Sequence, residues 1–382
     1  MDFELSEEQS ILKDSLGKLL ADNYGFEQRK KHLATPEGWS AEMWGRYAEM
    51  GLMALPFAEE DGGIGGGPVE TMIVMEALGG ALALEPYFPT VVLGGGFLRL
   101  GGNDGLRAEF APQVADGSLK LAFAHTERHS RYDFNQVRTT AKKDGRGWRL
   151  SGAKGVVIGG DSADKLIVTA RTAGGTGDEK GIGVFLVDAQ AEGVSRRGYP
   201  MQDGQRAAEV TLENVAVPAE AAFGDPEDGL PLVYRVADQG IAALAAEAVG
   251  VMSAMHRLTV DYMKVRKQFG VPIGSFQVLQ HKAVDMFIAI EQARSITCFA
   301  TMLADSEDTD ERERAMHAAK AEIGRGGTLV GQNAVQIHGG VGMTMEYAVG
   351  HYFKRMTMID LTFGDSDFHL RELAEMGGLF GG

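Results

Sequence analysis

The chain is poor in cysteine, in basic charge and in long apolar runs. Its 382 residues hold one cysteine, Cys298, which rules out an internal disulfide and a cysteine-based zinc site. Cys298 sits in an apolar helical stretch, where a small buried hydrophobe is the expected role rather than a reactive thiol. Lys and Arg total 37 against 53 Asp and Glu, a formal charge of −16, and a field of that sign argues against nucleic acid and anionic membrane surfaces as partners. No apolar run reaches the roughly 18 residues a membrane span needs. The opening MDFELSEEQSILKDSLGKLL carries acid where a secretory signal carries base. A reducing cytoplasm is the compartment these absences favour.

Standard catalytic signatures are missing too: there is no Walker loop, no strand-placed GxGxxG, no HExxH and no GxSxG. His125 and His129 have i, i+4 spacing but lie near a β segment, where that spacing does not align two ligands, so no metal site is expected.

Domains of about 100 to 200 residues make two or three packed units the expectation here. Ser6 and Gln9 have capping-box spacing, and Ile11, Leu12, Leu16, Leu19 and Leu20 then recur on one face of an amphipathic helix. Helical texture continues through residue 118, broken by the run from Asp61 to Pro68, which is rich in glycine. Residues 119–228 read as a β domain of short runs, VRTTA, WRLSG, KLIVTA, GVFLVDA and AEVTLENVAV, bounded by turns such as Asp144-Gly145. Helical periodicity returns over 229–382, with Ile241, Leu244, Ala248, Val251 and Met252 on one stripe and a last 13 or so residues that read as a frayed tail. The fold class is mainly α with a central β domain.

Two segments carry chemistry. In Tyr262-Met-Lys-Val-Arg266-Lys-Gln268-Phe269-Gly270, followed by a Pro-Ile-Gly turn, Phe276 and Gln277, a helix ends beside a planar cation, a ring and an amide. An Arg fork suits a pyrophosphate and a ring can pack on adenine, the alternative being an Arg-capped helix end. In the second, Gln336-Ile-His338-Gly339-Gly340-Val-Gly342, clustered glycines let backbone N–H groups approach a ligand, though helix-to-helix turns use the same residues.

Taken in order, these segments resemble the acyl-CoA dehydrogenase family: YxxxRxQFGxPIxxFQ, then VQxHGGxGxTxEY, then the basic helix HYFKRMTMID, with an LSEEQ helix at the start and an Ala124-His-Thr126-Glu127 run in the β domain. The resemblance implies a helical amino-terminal domain, a β middle and a carboxy-terminal four-helix bundle, with FAD lying between subunits. It assigns Arg266, Gln268, Phe269 and Gln277 to the diphosphate and adenine side of FAD, and Gln336, Gly339 and Gly340 to the adenosine part from a neighbouring subunit. Thr126 would sit against the flavin ring. The implied reaction is α,β-desaturation of an acyl-CoA thioester, in which a carboxylate takes the α-proton while hydride passes to the flavin, with electrons leaving through electron-transfer flavoprotein.

The sequence departs from that pattern at the base. The family's YEGT segment reads Phe363-Gly364-Asp365-Ser366, which removes the Glu and keeps a hydroxyl at Ser366 for the flavin; the second base position known in the family falls on Gly240. Glu247, two turns beyond Gly240 on about the same face of an apolar helix, is the first candidate replacement, the alternative being a helix-pairing salt bridge. Asp365 is the second candidate. The flavin-flanking WITN reads Val156-Val157-Ile158-Gly159, and TEPGAGSD becomes Thr126-Glu127-Arg128-His129-Ser130-Arg131-Tyr132-Asp133. This pattern is similar to the small subunits of heteromeric members, such as that of pimeloyl-CoA dehydrogenase and the steroid side-chain enzymes. It implies a dicarboxylyl, branched or steroid-side-chain CoA substrate and lipid or steroid degradation. The implied assembly is a homotetramer or an α2β2 heterotetramer with a homologous subunit, and the rival role for this chain is a non-catalytic subunit that completes the partner's FAD site.

Overall fold

The computed structural model describes residues 5–379. From the amino-terminal side, helices α1 (Glu7–Asn23), α2 (Phe26–Leu33), α3 (Ala41–Glu49), α4 (Pro68–Ala81), α5 (Gly95–Leu100) and α6 (Asp104–Ala115) precede the strands. These are β1 (Leu121–Ala124), β2 (Thr140–Asp144), β3 (Gly147–Ile158), β4 (Lys165–Arg171), β5 (Ile182–Asp188), β6 (Val194–Pro200), β7 (Arg206–Pro218) and β8 (Ala222–Phe223). Helix α7 (Leu230–Val265) leads into a hairpin, β9 (Lys267–Gln268) and β10 (Val271–Pro272), and then α8 (Gln277–Leu303), α9 (Thr309–His338), α10 (Ala348–Leu361) and α11 (Ser366–Glu375).

Packing divides the chain into two compact units. One gathers the chain up to Lys31, Pro68–Ala83 and the chain from Ile241; the other gathers His32–Gly67 and Leu84–Gly240. In the second unit the sheet runs β6-β7-β3-β2-β4-β5-β8, with β1 joined to β4 in parallel. Strands β4 and β5 are buried along almost their whole length, as their Val, Ile, Leu and Phe content requires. The β2–β3 turn falls at Asp144-Gly145, where Gly145 has φ 59°. Strand β6, VSRRGYP, escaped the sequence reading because it lies at the sheet edge with charged, exposed residues and pairs only with β7.

In the first unit the capping box at Ser6 and Gln9 forms in both directions. Leu16 and Leu20 are buried as expected, but Ile11 is 59% exposed, so the amphipathic face of α1 is narrower than its sequence suggests. Helix α7 is buried on every side over 241–252, which a single stripe did not foretell. Among the described residues it is the one helix long and apolar enough to cross a membrane, yet 78% of that window is buried inside the protein, as in a core helix. The expected frayed tail is corrected in part: α11 continues to Glu375, while Phe380 to Gly382 lie outside the described residues.

Helices α4 and α7 cross at glycines. A Cβ at Gly250 would collide with the carbonyl of Glu76, and one at Gly79 with the carbonyl of Glu247. The crossing is then tied outward, because the Tyr352 hydroxyl donates to the Gly80 carbonyl (2.6 Å) and Arg294 donates to Glu76 (2.7 Å). Gly250→Val should therefore destabilise the protein by about 1–3 kcal/mol or more through overpacking. Gly17→Ala, in mid-helix with nothing within 4 Å of the added carbon, should stabilise it by about 0.5–1 kcal/mol. Urea unfolding of the two variants beside the parent measures both signs.

Candidate active site

In the β unit, the segment leaving β1 alternates in and out. His125 and Glu127 are buried, and Thr126 between them is exposed. Lys154, wholly buried on β3, holds this arrangement: its Nζ donates to the His125 carbonyl (3.0 Å), to Glu127 Oε1 (2.8 Å) and to Thr169 Oγ1 (3.1 Å). The Glu127 carboxylate also accepts the backbone amides of Arg138 (3.1 Å) and Thr139 (3.0 Å). Burial alone would push Glu127 up, but the Lys154 charge and these hydrogen bonds outweigh it and hold the carboxyl below its ordinary value. Burial pulls Lys154 down to about 8 against the opposing pull of Glu127. Burial, reinforced by the Lys154 charge, pushes His125 down to about 3, so its ring is neutral. Its Nδ1 lies 2.9 Å from Thr169 Oγ1. The amide of Gly155 donates to the Thr126 carbonyl (2.8 Å), which leaves the Thr126 side chain facing outward. Glu127 of the Ala124–Glu127 run and Lys154 on β3 are two halves of one ion pair, 27 residues apart in sequence.

In the helical unit, Arg266, Gln268 and Phe269 lie on the exposed β9–β10 hairpin, and Gln277 opens α8 beyond it. The Phe269 ring is 92% exposed, at φ 53°, and meets Phe276 edge-on. Gln336 is exposed on the last turn of α9, and Gly339 and Gly340 follow with nothing within 4 Å of an added Cβ. Tyr262 stacks on His338 with ring centroids 4.4 Å apart, so the ends of α7 and α9 are held together within one chain. Val156, which stands in place of the family's aromatic residue, and Gly159, at the end of the same segment, have φ of 50° and 69°. Cys298 is half-buried and burial pushes its thiol up, as befits an unreactive side chain.

Both candidate bases are engaged elsewhere. Glu247 forms the helix-pairing salt bridge that was the alternative to a base: Arg355 of α10 donates Nε to Oε1 and an η nitrogen to Oε2, each at 2.6 Å, with both side chains about 5% exposed. Each oxygen of Glu247 thus gives one lone pair to the guanidinium, whose charge favours the ionised carboxylate. Asp365 is the N-cap of α11, where its Oδ1 accepts the Phe368 amide (2.8 Å). Gly364, which stands at the position of the missing base, has φ 117°, and a Cβ there would lie 2.6 Å from both His369 Nε2 and Phe368 Cδ1. The turn is shaped for glycine, so the absent carboxylate reflects the backbone as well as the side chain.

Three family models match in chain order: the acyl-CoA dehydrogenase N-terminal domain over 6–118, the middle domain over 122–215 and the C-terminal domain over 227–377. The chain belongs to the acyl-CoA dehydrogenase family. It is similar to the acyl-CoA dehydrogenase FadE12 of Mycobacterium tuberculosis, 31% identical over 90% of this chain and 89% of that one. It is 30% identical to the probable acyl-CoA dehydrogenase YngJ of Bacillus subtilis over 96% and 97% of the two chains. Among solved structures, the Tcur3481-Tcur3483 steroid ACAD, in a variant form, superposes with a TM-score of 0.87 at 30% identity over 97% of each chain. This acyl-CoA dehydrogenase is an oxidoreductase whose cofactor is FAD. Within the helical unit the residues present fit that group: an exposed arginine and ring on a hairpin, and glycines with open space at a helix end. When bound, FAD supplies the hydride acceptor.

The two ion pairs give two predictions. Glu247→Ala should cost about 3–5 kcal/mol by removing the carboxylate that faces the buried Arg355 guanidinium, and Glu247→Ala with Arg355→Met should recover much of it; chemical denaturation of the double-mutant cycle reads this. Glu127's depressed value makes its stabilising contribution complete above about 4.5 and lost as the pH falls through its folded value. Acid unfolding of Glu127→Gln should therefore show a shallower pH dependence below 4.5 than the parent.

Proposed function

We propose that this acyl-CoA dehydrogenase works as one subunit of a heteromeric enzyme in which a homologous chain provides the catalytic carboxylate. The observation that supports this most is the Phe363–Ser366 turn: glycine stands at the base position in a backbone that resists any larger residue, and Glu247 and Asp365 are both engaged. In this reading Arg266, Gln268, Phe269 and Gln277 bind the diphosphate and adenine side of FAD. Gln336, Gly339 and Gly340 complete the site of the neighbouring subunit, and Thr126 and Ser366 flank the ring.

An exposed apolar stripe on the helical unit supports association with such a partner. Val284, Phe287 and Ile288 recur at i, i+3, i+4 along one face of α8 with about half their area exposed. Contiguous exposed apolar groups of this kind mark association surfaces. The substrate is an acyl-CoA thioester, and similarity to a steroid ACAD supports a bulky acyl group, steroid-side-chain, branched or dicarboxylyl, processed in the cytoplasm during lipid or steroid degradation. Electron-transfer flavoprotein would take the electrons.

The test is the visible spectrum of the chain expressed alone and with a homologous chain that carries the family's glutamate. Flavin bound only on co-expression and bleached anaerobically by acyl-CoA supports the proposal; flavin held and bleached by the chain alone overturns it. Within the complex, Gly364→Glu should lose stability without gaining turnover, because the turn resists any side chain there. A gain in turnover that needs no partner would overturn the reading of the turn.

A further inference from the structure

Beneath the Phe363–Ser366 turn lies a buried polar cluster with no part in the assignments above. Lys320, from the middle of α9, has no exposed surface. Its Nζ donates to the carbonyls of Ile359 (2.8 Å), Asp360 (2.7 Å) and Gly364 (2.7 Å). Three acceptors call for the three donors of an ammonium, since a neutral amine would turn a lone pair toward a carbonyl. Asp360 accepts the amide of Ser366 at its Oδ1 (3.1 Å). His369 of α11 places Nε2 3.0 Å from the Phe363 carbonyl and Nδ1 2.7 Å from Nδ1 of His317. A carbonyl only accepts, so Nε2 of His369 carries the hydrogen, its Nδ1 is bare, and His317 donates to it.

Three side chains from three helices thus hold three positions of one turn: His369 at Phe363, Lys320 at Gly364 and Asp360 at Ser366. Close approach of α9 is part of the arrangement, because a Cβ at Gly324, one turn beyond Lys320, would collide with Asp360 and Ser366. The buried lysine thus caps two of the last carbonyls of α10 and reaches past the helix end to the Gly364 carbonyl in the turn.

We infer that Lys320 is a positioning residue: with Asp360 and His369 it fixes the backbone from which Ser366 is presented to the flavin. This rests on the reading of Ser366 as a flavin contact. Lys320→Met removes the ammonium at similar volume, and Asp360→Asn is a milder second variant that weakens only the hold on the Ser366 amide. Both are made in the flavin-loaded complex and followed by hydrogen exchange and by the shape of the flavin's visible band.

Lys320→Met should speed exchange of the 363–366 amides by about tenfold or more, leave the α4–α7 crossing unchanged and alter the flavin band. Asp360→Asn should do so at Ser366 alone, and it carries the test if the first variant does not fold. Unchanged exchange at the turn, or exchange raised evenly through every helix of the unit, would overturn the inference. A loosened turn with an unaltered flavin band would uphold the clamp and overturn the assignment of Ser366.

Discussion

The pairing of Glu247 with Arg355 is the contact on which the helical unit depends. Two charges removed from water cost several kcal/mol each unless geometry and hydrogen bonding compensate, and here a guanidinium fork meets a carboxylate with both bonds at 2.6 Å. The pair joins α7 to α10 at the level where α7 also crosses α4 through glycines. Once α10 is fixed against α7, the turn that follows it has a defined starting point, and Lys320 and Asp360 can close on its backbone. The position of Ser366 is therefore a downstream result of an ion pair some distance along the chain.

The β unit solves the same problem in the same way. A lone lysine inside a sheet would be intolerable, but Lys154 satisfies a carboxylate, a carbonyl and a hydroxyl at once. Its gain is orientation, because pinning His125 and Glu127 inward forces Thr126 outward. In each unit a buried cation on a regular element aims a short irregular segment, which is how a loop acquires the precision of a scaffold.

Much of this was legible in the sequence. The capping box, the helix–sheet–helix order and the Asp144-Gly145 turn are local patterns, and local patterns survive tertiary context. Strand β6 was not legible, since an edge strand made of charged residues has no apolar period to display. Ile11 was misread because a periodic stripe does not reveal how wide the neighbouring helix is. At the site, the cofactor positions came from motif order, whereas the partners of Glu247 and Lys154 lie 108 and 27 residues away. A carboxylate in an apolar helix signals a partner or a task, and only the fold distinguishes the two.

The left-handed turn at Gly364 also bears on how such a chain can change over generations. A glycine codon can become a glutamate codon by a single nucleotide substitution, so the lost carboxylate looks easy to regain. The φ of 117° and the crowding by His369 and Phe368 mean that this substitution lands on a backbone unable to accept it. Reversion needs concerted change in the turn and in the helix behind it. The division of labour between homologous chains that we propose would, once the turn has taken this shape, be held in place by conformation, with the short mutational road back closed.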